Sequence, residues 1–222
     1  LLVLEQGVME GRKVFGNIIK YIKMTASSNF GNVFSVLIAS AFIPFLPMLP
    51  IQLLTQNLLY DFSQLSLPWD NMDQEFLARP RKWDPKSITR FMIYIGPISS
   101  IFDIATFVVM WRVFGANSAR HQSLFQSGWF VLGLLSQTLI VHLIRTEKVP
   151  FIQSRATKPV LWLTGAIMAI GAIVPLTRFG AGIGLQPLPA AYFPWLIALL
   201  LAYSVATQCA KNLYIRRFSS WL

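Results

Sequence analysis

Apolar residues in this chain come in long runs, and the stretches between them are mostly polar and basic. A helix needs about 20 predominantly apolar residues to cross a bilayer, and six stretches meet or approach that length, at roughly 26–44, 48–66, 91–113, 126–144, 159–176 and 190–210. The last four are plain: FMIYIGPISSIFDIATFVVMW, WFVLGLLSQTLIVHLI, PVLWLTGAIMAIGAIVPL and AYFPWLIALLLAYSVATQCA. The first two are more polar and lie close together, joined by a turn with Pro44, Pro47 and Pro50. Ahead of them, Val14, Phe15, Ile18, Ile19 and Ile22 make one helical stripe, and Arg12, Lys13, Asn17, Lys20 and Lys23 cover the other faces. This predicts an amphipathic helix that runs without a breaker into the first span. It is either a surface helix at the membrane interface or a rigid stalk that transmits motion from a cytoplasmic domain. The expected fold is therefore all-α: a polytopic membrane bundle of six transmembrane helices with a cytoplasmic N-terminal stalk helix, divided into residues 1–25 and 26–222.

Finer expectations follow from spacing. Gly165, Ala169 and Ala172 predict a small-residue packing face on the fifth span. Pro97 predicts a kink in the third. The polar loop at roughly 67–90 is either a docking surface for a partner domain or a plain connector.

Composition narrows the partners. Of 222 residues, 55% are hydrophobic and only 13% charged, against about 25% charged in soluble domains. That excludes a water-soluble globule, a disordered tail and a collagen-like repeat. The net charge of +10 brings nucleic acid to mind, but the bases sit between apolar runs rather than in one patch. The expected partner is the lipid bilayer, with no nucleic acid. If residues 1–25 are cytoplasmic, six crossings leave only Arg112, Arg120 and Arg178 outside, as the positive-inside rule asks. Both termini are then cytoplasmic. Trp111, Trp129 and Trp195 would line the outer interface and Trp162 the inner one. The single cysteine, Cys209, excludes an internal disulfide and a Cys-pair metal site. The chain opens on Leu1 without a signal peptide and reads as a piece of something longer.

Catalytic motifs are absent: no P-loop, no GxSxG, no HExxH. His121 and His142, each near a helix end, read as structural. The informative chemistry is the polar content of the first two spans. The first carries Ser27, Ser28, Asn29, Asn32 and Ser35, with Asn29 and Asn32 on one face. The second carries Gln52, Gln56, Asn57, Tyr60, Asp61, Ser63 and Gln64, with Asn57, Tyr60 and Asp61 at i, i+3 and i+4. A carboxylate in hydrocarbon is costly, so Asp61 is expected to face the bundle interior and to have a partner. Amide oxygens plus one carboxylate make an oxygen-rich cage that suits a hard cation. The competing use of such groups is hydrogen bonding between helices. Asp103, in the third span with Ser99 and Thr106 on its face, is either an extension of the ion path or a buried carboxylate held by hydroxyls and a neighbouring helix.

The run LLVLEQGVMEGRKVFGNIIKYIKMTASSNFGNVFSVL, followed by PMLPIQLLTQNLLYDFSQLSL, resembles a P-type cation-transporting ATPase, through EGR, NIIKYI, SSNFGN and PIQLLTQNLLYD in that order. QSGWFVLGLLSQTLIVHLIRT and VPFIQSRA are most similar to the bacterial magnesium-transporting subgroup. The resemblance covers essentially the whole chain and implies transmembrane helices five to ten of ten, with residues 1–25 as the end of the phosphorylation domain and the stalk. It implies a place in the bacterial inner membrane, and Mg2+ as the transported ion as well as the companion of ATP in the missing domains. Asn29 and Asn32 match the family's ligand positions on the fifth helix, and Asn57, Tyr60 and Asp61 those on the sixth. Calcium pumps carry a carboxylate where Asn32 stands and a Thr where Tyr60 stands. The fourth span here offers Gln137 but no carboxylate. These departures fit a single divalent ion held by few charges, since magnesium often keeps some of its waters. DKTG, TGE, GDGVND and the nucleotide-binding domain are missing, so the chain is expected to be part of an ATP-driven enzyme but not to hydrolyse ATP alone. Its partner would be the missing N-terminal part of the same pump, with the first four membrane helices. The alternatives are a self-contained six-span ion channel or secondary cation carrier, and a structural membrane anchor.

Overall fold

A computed structural model describes residues 2–218 and Trp221; Leu1, Ser219, Ser220 and Leu222, at the ends of the two expected segments, lie outside the described residues. The first helix, α1 (Leu2–Phe42), is one unbroken element of 41 residues, about 60 Å long at 1.5 Å per residue. The expected continuity of the amphipathic segment with the first apolar run is thus present. After the Pro-rich turn, α2 (Pro50–Gln64) starts with Pro50 in its first turn, where a missing N–H costs nothing. A 3₁₀ turn (Leu67–Trp69) and the short α3 (Gln74–Leu77) follow. Then come α4 (Pro85–Arg112), α5 (Gln122–Ile144), α6 (Lys158–Ile173), the short α7 (Arg178–Gly182) and α8 (Tyr192–Phe218).

Four helical segments, Pro85–Arg112, Ala119–Ile144, Lys158–Leu176 and Tyr192–Phe218, are long and apolar enough to cross a membrane. They coincide with the four plain runs of the sequence. The helix at the second expected span has only 15 residues, about 22 Å, against a hydrocarbon core of about 30 Å. Two helices outrun their apolar segments. Asp84 caps the start of α4 by accepting from Lys86 N at 3.0 Å, and α8 continues past the apolar run to Phe218. Hydrogen bonding along the backbone carries a helix past the point where hydrophobicity stops.

Helix α5 is the axis of the bundle. It is buried on nearly all sides and packs against α2, α4, α6 and α8. A helix apolar all round belongs in that position. Helix α1 lies along α4, its most extensive neighbour. They meet at Gly31 and Gly96: a side chain on Gly31 would collide with Ser99 Oγ, and one on Gly96 would come within 2.8 Å of Phe30. The small residues of α6 behave differently from expectation. Gly165 and Ala169 are exposed, and nothing lies within 4 Å of the place a Gly165 Cβ would take. The packing face is instead Val160, Thr164, Ile167 and Gly171, where Gly171 admits Leu134. Two stripes of the same periodicity compete on α6, and the one carrying Thr164 wins because His142 Nε2 of α5 meets Thr164 Oγ1 at 2.9 Å.

The 67–90 segment is more than a connector. Met72 and Phe76 pack on Ile19, with Phe15 and Leu77 around them, and Gly16 leaves room for the Met72 side chain. Arg12 Nη1 donates to Leu77 O at 2.7 Å. Deeper in, Asp70 is fully buried and accepts from Lys20 Nζ at 3.0 Å and Arg145 Nε at 2.8 Å. Asn17 Nδ2 donates to Asp70 O at 3.2 Å. Lys23 Nζ donates to Trp221 O at 2.8 Å, and Lys211 Nζ to Leu143, Thr146 and Lys148 carbonyls. We call this the basic end. Burial alone would raise the Asp70 carboxyl, but Lys20 and Arg145 outweigh it and hold it below its ordinary value. Burial also pushes the Lys23 amine down to about 8.

Candidate functional site

Farther along α1 from the basic end, α1 meets the C-terminal end of α2: Thr25 Oγ1 donates to Gln64 Oε1 at 3.1 Å, and the Ser28 hydroxyl neighbours that of Tyr60. Ser28 and Asn29 lie one turn beyond Thr25, and Tyr60 and Asp61 one turn before Gln64. On the other side of α2, Gln56 Nε2 donates to Phe130 O of α5 at 3.2 Å, which leads Tyr60 and Gln64 toward the level of Gln137. At the far end Gln52 Nε2 bonds Gln126 Oε1 at 3.1 Å and Ile183 O at 2.9 Å. Gln52, Gln56, Tyr60 and Gln64 thus form the inward stripe of α2, four residues apart.

The predicted ligands differ in their exposure. Tyr60 is buried. Asn32 and Asn57 are half-buried, and Asn29 and Asp61 are exposed. Asp61 does not face the interior as expected. It lines an open groove of ≈ 440 Å³ with Val14, Asn17, Ile18, Tyr21 and Gln64, and no ion pair involves it among the described residues. The reason is helical phase: Asp61 stands about 100° round the axis from Tyr60, off the stripe that α5 covers. Likewise no three His, Cys, Asp or Glu side chains gather among the described residues.

What the interior holds instead is a set of unpaired polar atoms. Ser28 Oγ, Asn32 Nδ2, Tyr60 OH, Gln64 Nε2 and both amide atoms of Gln137 are buried without a hydrogen-bond partner. The Ser28 and Tyr60 hydroxyls are neighbours without forming a well-aligned bond. Each such group, left unpaired, costs about 1–3 kcal/mol. These groups lie on three helices and divide between oxygens (Ser28 Oγ, Tyr60 OH, Gln137 Oε1) and amide N–H donors (Asn32, Gln64, Gln137), a neutral set that can pair with water or another polar guest. Ser28 and Gln64 are not among the ligands expected from the sequence, although the four-residue spacings Ser28–Asn32 and Tyr60–Gln64 mark them; Gln137 is the group that the fourth span offers.

Asp103 stands apart from this cluster. It does not bond Ser99 or Thr106, whose hydroxyls go to Gly96 O and Phe102 O of their own helix. Its partners are Ser35 of α1 and Trp129 of α5. Trp129 is accordingly buried, not part of an interfacial belt, while Trp162 is exposed. His142, with its Thr164 bond, is structural.

Comparison with known proteins follows the same outline. Residues 45–213 match the family described as cation transporting ATPase, C-terminus. The chain is 68% identical over 221 residues to a P-type magnesium-transporting ATPase 1 of Salmonella typhimurium, covering 100% of this chain and 24% of that protein. It is 60% identical over 218 residues to the protein of that name from Escherichia coli strain K12, covering 98% of this chain and 24% of the relative. A calcium-transporting ATPase of Bacillus subtilis is 27% identical over 177 residues, 75% of this chain and 19% of that protein. The chain thus spans about a quarter of the length of the magnesium-transporting relatives.

Proposed function

The chain belongs to the cation-transporting ATPase family, matching its C-terminal part, and on that premise we propose that it is the C-terminal membrane portion of an ATP-driven magnesium transporter. ATP hydrolysis takes place in the rest of the pump. This portion supplies part of the ion site and the stalk that couples the two. The observation that carries the reading is the set of unpartnered amide and hydroxyl groups on α1, α2 and α5, among them that of Tyr60, the neighbour of Asp61 in the chain. In the whole protein another membrane helix closes the groove over Asp61, so that its carboxylate and Asn29 meet Asn32, Asn57 and Tyr60 around one ion, with Gln137 reaching in from α5. Few charges and several neutral oxygens suit an ion that gives up its water reluctantly.

The remaining parts of the reading follow from it. The apolar half of α1 and the short α2 complete six spans, with α2 reaching full depth through its flanking turns. The basic end faces the cytoplasm of a bacterium, where the positive-inside rule places it. The first 25 residues of α1 are the stalk, which the 67–90 segment grips.

The test is ATPase activity against magnesium concentration in the complete pump. Asp61→Asn keeps the side-chain shape and removes the charge. It is expected to abolish magnesium-dependent turnover while the protein still reaches the membrane. An unchanged magnesium dependence would place the site elsewhere.

A further inference from the structure

Asp103 lies midway along α4, buried, and each carboxylate oxygen accepts one hydrogen bond. Ser35 Oγ donates to Oδ2 at 2.6 Å, and Trp129 Nε1 donates to Oδ1 at 3.0 Å. The donors come from α1 and α5, so one carboxyl ties three helices at one depth. The surroundings are aromatic. Phe107 meets Trp129 edge-on with centroids 4.8 Å apart and stacks on Phe125 at 5.3 Å.

These partners bear on whether the transported ion passes here. A hard cation needs oxygen ligands. The indole N–H at Oδ1 presents a proton, not a lone pair. A cation at that oxygen would have to displace a buried ring from a packed aromatic group. The Gln137 amide oxygen, by contrast, has no partner to displace.

We infer that Asp103 is a positioning residue and not a ligand: through Ser35 and Trp129 it holds the ligand-bearing stretch of α1 in register against α4 and α5. This rests on the ion-site reading above. The clamp has a second point one turn away, where Ser100 Oγ donates to Gly31 O at 3.0 Å beside the Gly31–Gly96 crossing. Asn32 lies between Gly31 and Ser35 in sequence, so fixing those two fixes where it and Asn29 project.

The geometry also says which substitution the clamp tolerates. Ser35 Oγ lies 2.9 Å from Gly31 O as well as 2.6 Å from Asp103, and one hydroxyl carries one hydrogen. In Asp103→Asn the new amide N–H donates to Ser35 Oγ, whose hydrogen turns to Gly31 O. The amide oxygen still accepts from Trp129. The three-helix tie survives without a charge.

The experiment measures apparent magnesium affinity and maximal ATPase rate in the complete pump, separately, for Asp103→Asn, Asp103→Leu and Trp129→Phe, with Asp61→Asn as reference. Asp103→Asn is expected to leave both quantities close to those of the unchanged pump. Asp103→Leu is expected to weaken apparent magnesium affinity about tenfold or more, the scale of buried hydrogen bonds to a charged group, with a smaller change in maximal rate. Trp129→Phe keeps the ring and drops the donor, so it shows a smaller loss of the same kind even if the leucine variant fails to fold. Loss of magnesium dependence in Asp103→Asn, as complete as in Asp61→Asn, would make Asp103 a ligand and overturn the inference. Unchanged affinity in Trp129→Phe would overturn it too. Should Asp61→Asn keep its magnesium dependence, the ion-site reading fails, while Asp103→Asn against Trp129→Phe still judges the clamp.

Discussion

Two polar regions lie along α1, and they are built in opposite ways. At the basic end the buried charges are held: Asp70 by Lys20 and Arg145, Lys23 and Lys211 by backbone carbonyls. Among the described residues, Asn17 Oδ1 and Thr157 Oγ1 are left unpaired near it, as are Thr207 Oγ1 and Gln208 Oε1 within one turn of Lys211. From Ser28 onward, Ser28 Oγ, Asn32 Nδ2, Tyr60 OH, Gln64 Nε2 and both amide atoms of Gln137 find no hydrogen-bond partner among the described residues. A fully paired network stiffens a structure, whereas an unpaired one costs stability until something binds. On the proposed function, the contrast separates a region that holds helices together from one that receives a guest.

Removing a partner at the holding region should give the largest effect on folding. Asp70→Asn leaves Lys20 and Arg145 buried and uncompensated, and breaking a buried ion pair costs about 3–5 kcal/mol. The expected result is a strongly lowered melting temperature in detergent and a 67–90 segment newly open to protease. If Asp70→Asn melts like the unchanged protein, the basic end does not hold the helices.

The receiving region should respond with the opposite sign. Gln137→Leu replaces an unsatisfied amide by an apolar group of similar size, and Tyr60→Phe removes an unpaired hydroxyl. Measured without magnesium, each is expected to raise stability by about 1–3 kcal/mol, the penalty of the unpaired group. Each should also weaken the apparent magnesium affinity of the complete pump. A loss of stability would mean that these groups are paired helix to helix, and the contrast would collapse.

The two regions were unequally visible in the sequence. The four plain apolar runs became helices where the pattern placed them, because burial of a long apolar run leaves few alternatives. The polar character of α1 and α2 was equally plain. Which side of α2 faces inward was not, since Asn57, Tyr60, Asp61 and Gln64 leave little of the helix purely apolar. The covering helix, α5, decides it, and it covers the stripe of Gln52, Gln56, Tyr60 and Gln64. Charge drew attention to Asp61, while position made Gln137 and Ser28 part of the cluster. The Asp70 network was out of reach altogether: its partners are 50 and 75 residues away in the chain. No local spacing pairs such residues, so Lys20 and Arg145 read only as bases flanking spans. Trp129 misled for a related reason. An indole N–H that suits a headgroup also suits a buried carboxylate, and only tertiary contact shows which it has.

Acid should loosen the holding region without touching the other. The native Asp70 carboxyl titrates below its ordinary 3.8. Its contribution is therefore present in full above 3.8 and is lost as pH falls through the lower native value. Thermal melting recorded at successively lower pH should show a drop below 3.8 that Asp70→Asn, already lacking the carboxylate, does not share. Parallel curves for the two proteins would place the acid-sensitive group elsewhere.

The smallest effects, and the finest discrimination, come from two amides of the same type, one in each region. Asn17 donates to Pro68 O and Asp70 O, both at 3.2 Å, and so stitches α1 to the segment that follows α2. Asn57 is half-buried on α2. Asn17→Ala removes two hydrogen bonds that each contribute about 1 kcal/mol to folding, and it should leave magnesium affinity alone. Asn57→Ala removes one neutral ligand whose place a water can take, so its affinity loss should be only a few-fold, on the order of 1 kcal/mol, with melting unchanged. Thermal melting and the magnesium titration of ATPase activity, run on both variants, should cross over: one moves only the first measurement, the other only the second. If both variants move both measurements, α1 transmits strain between the two regions, and holding and receiving are a single function of that helix.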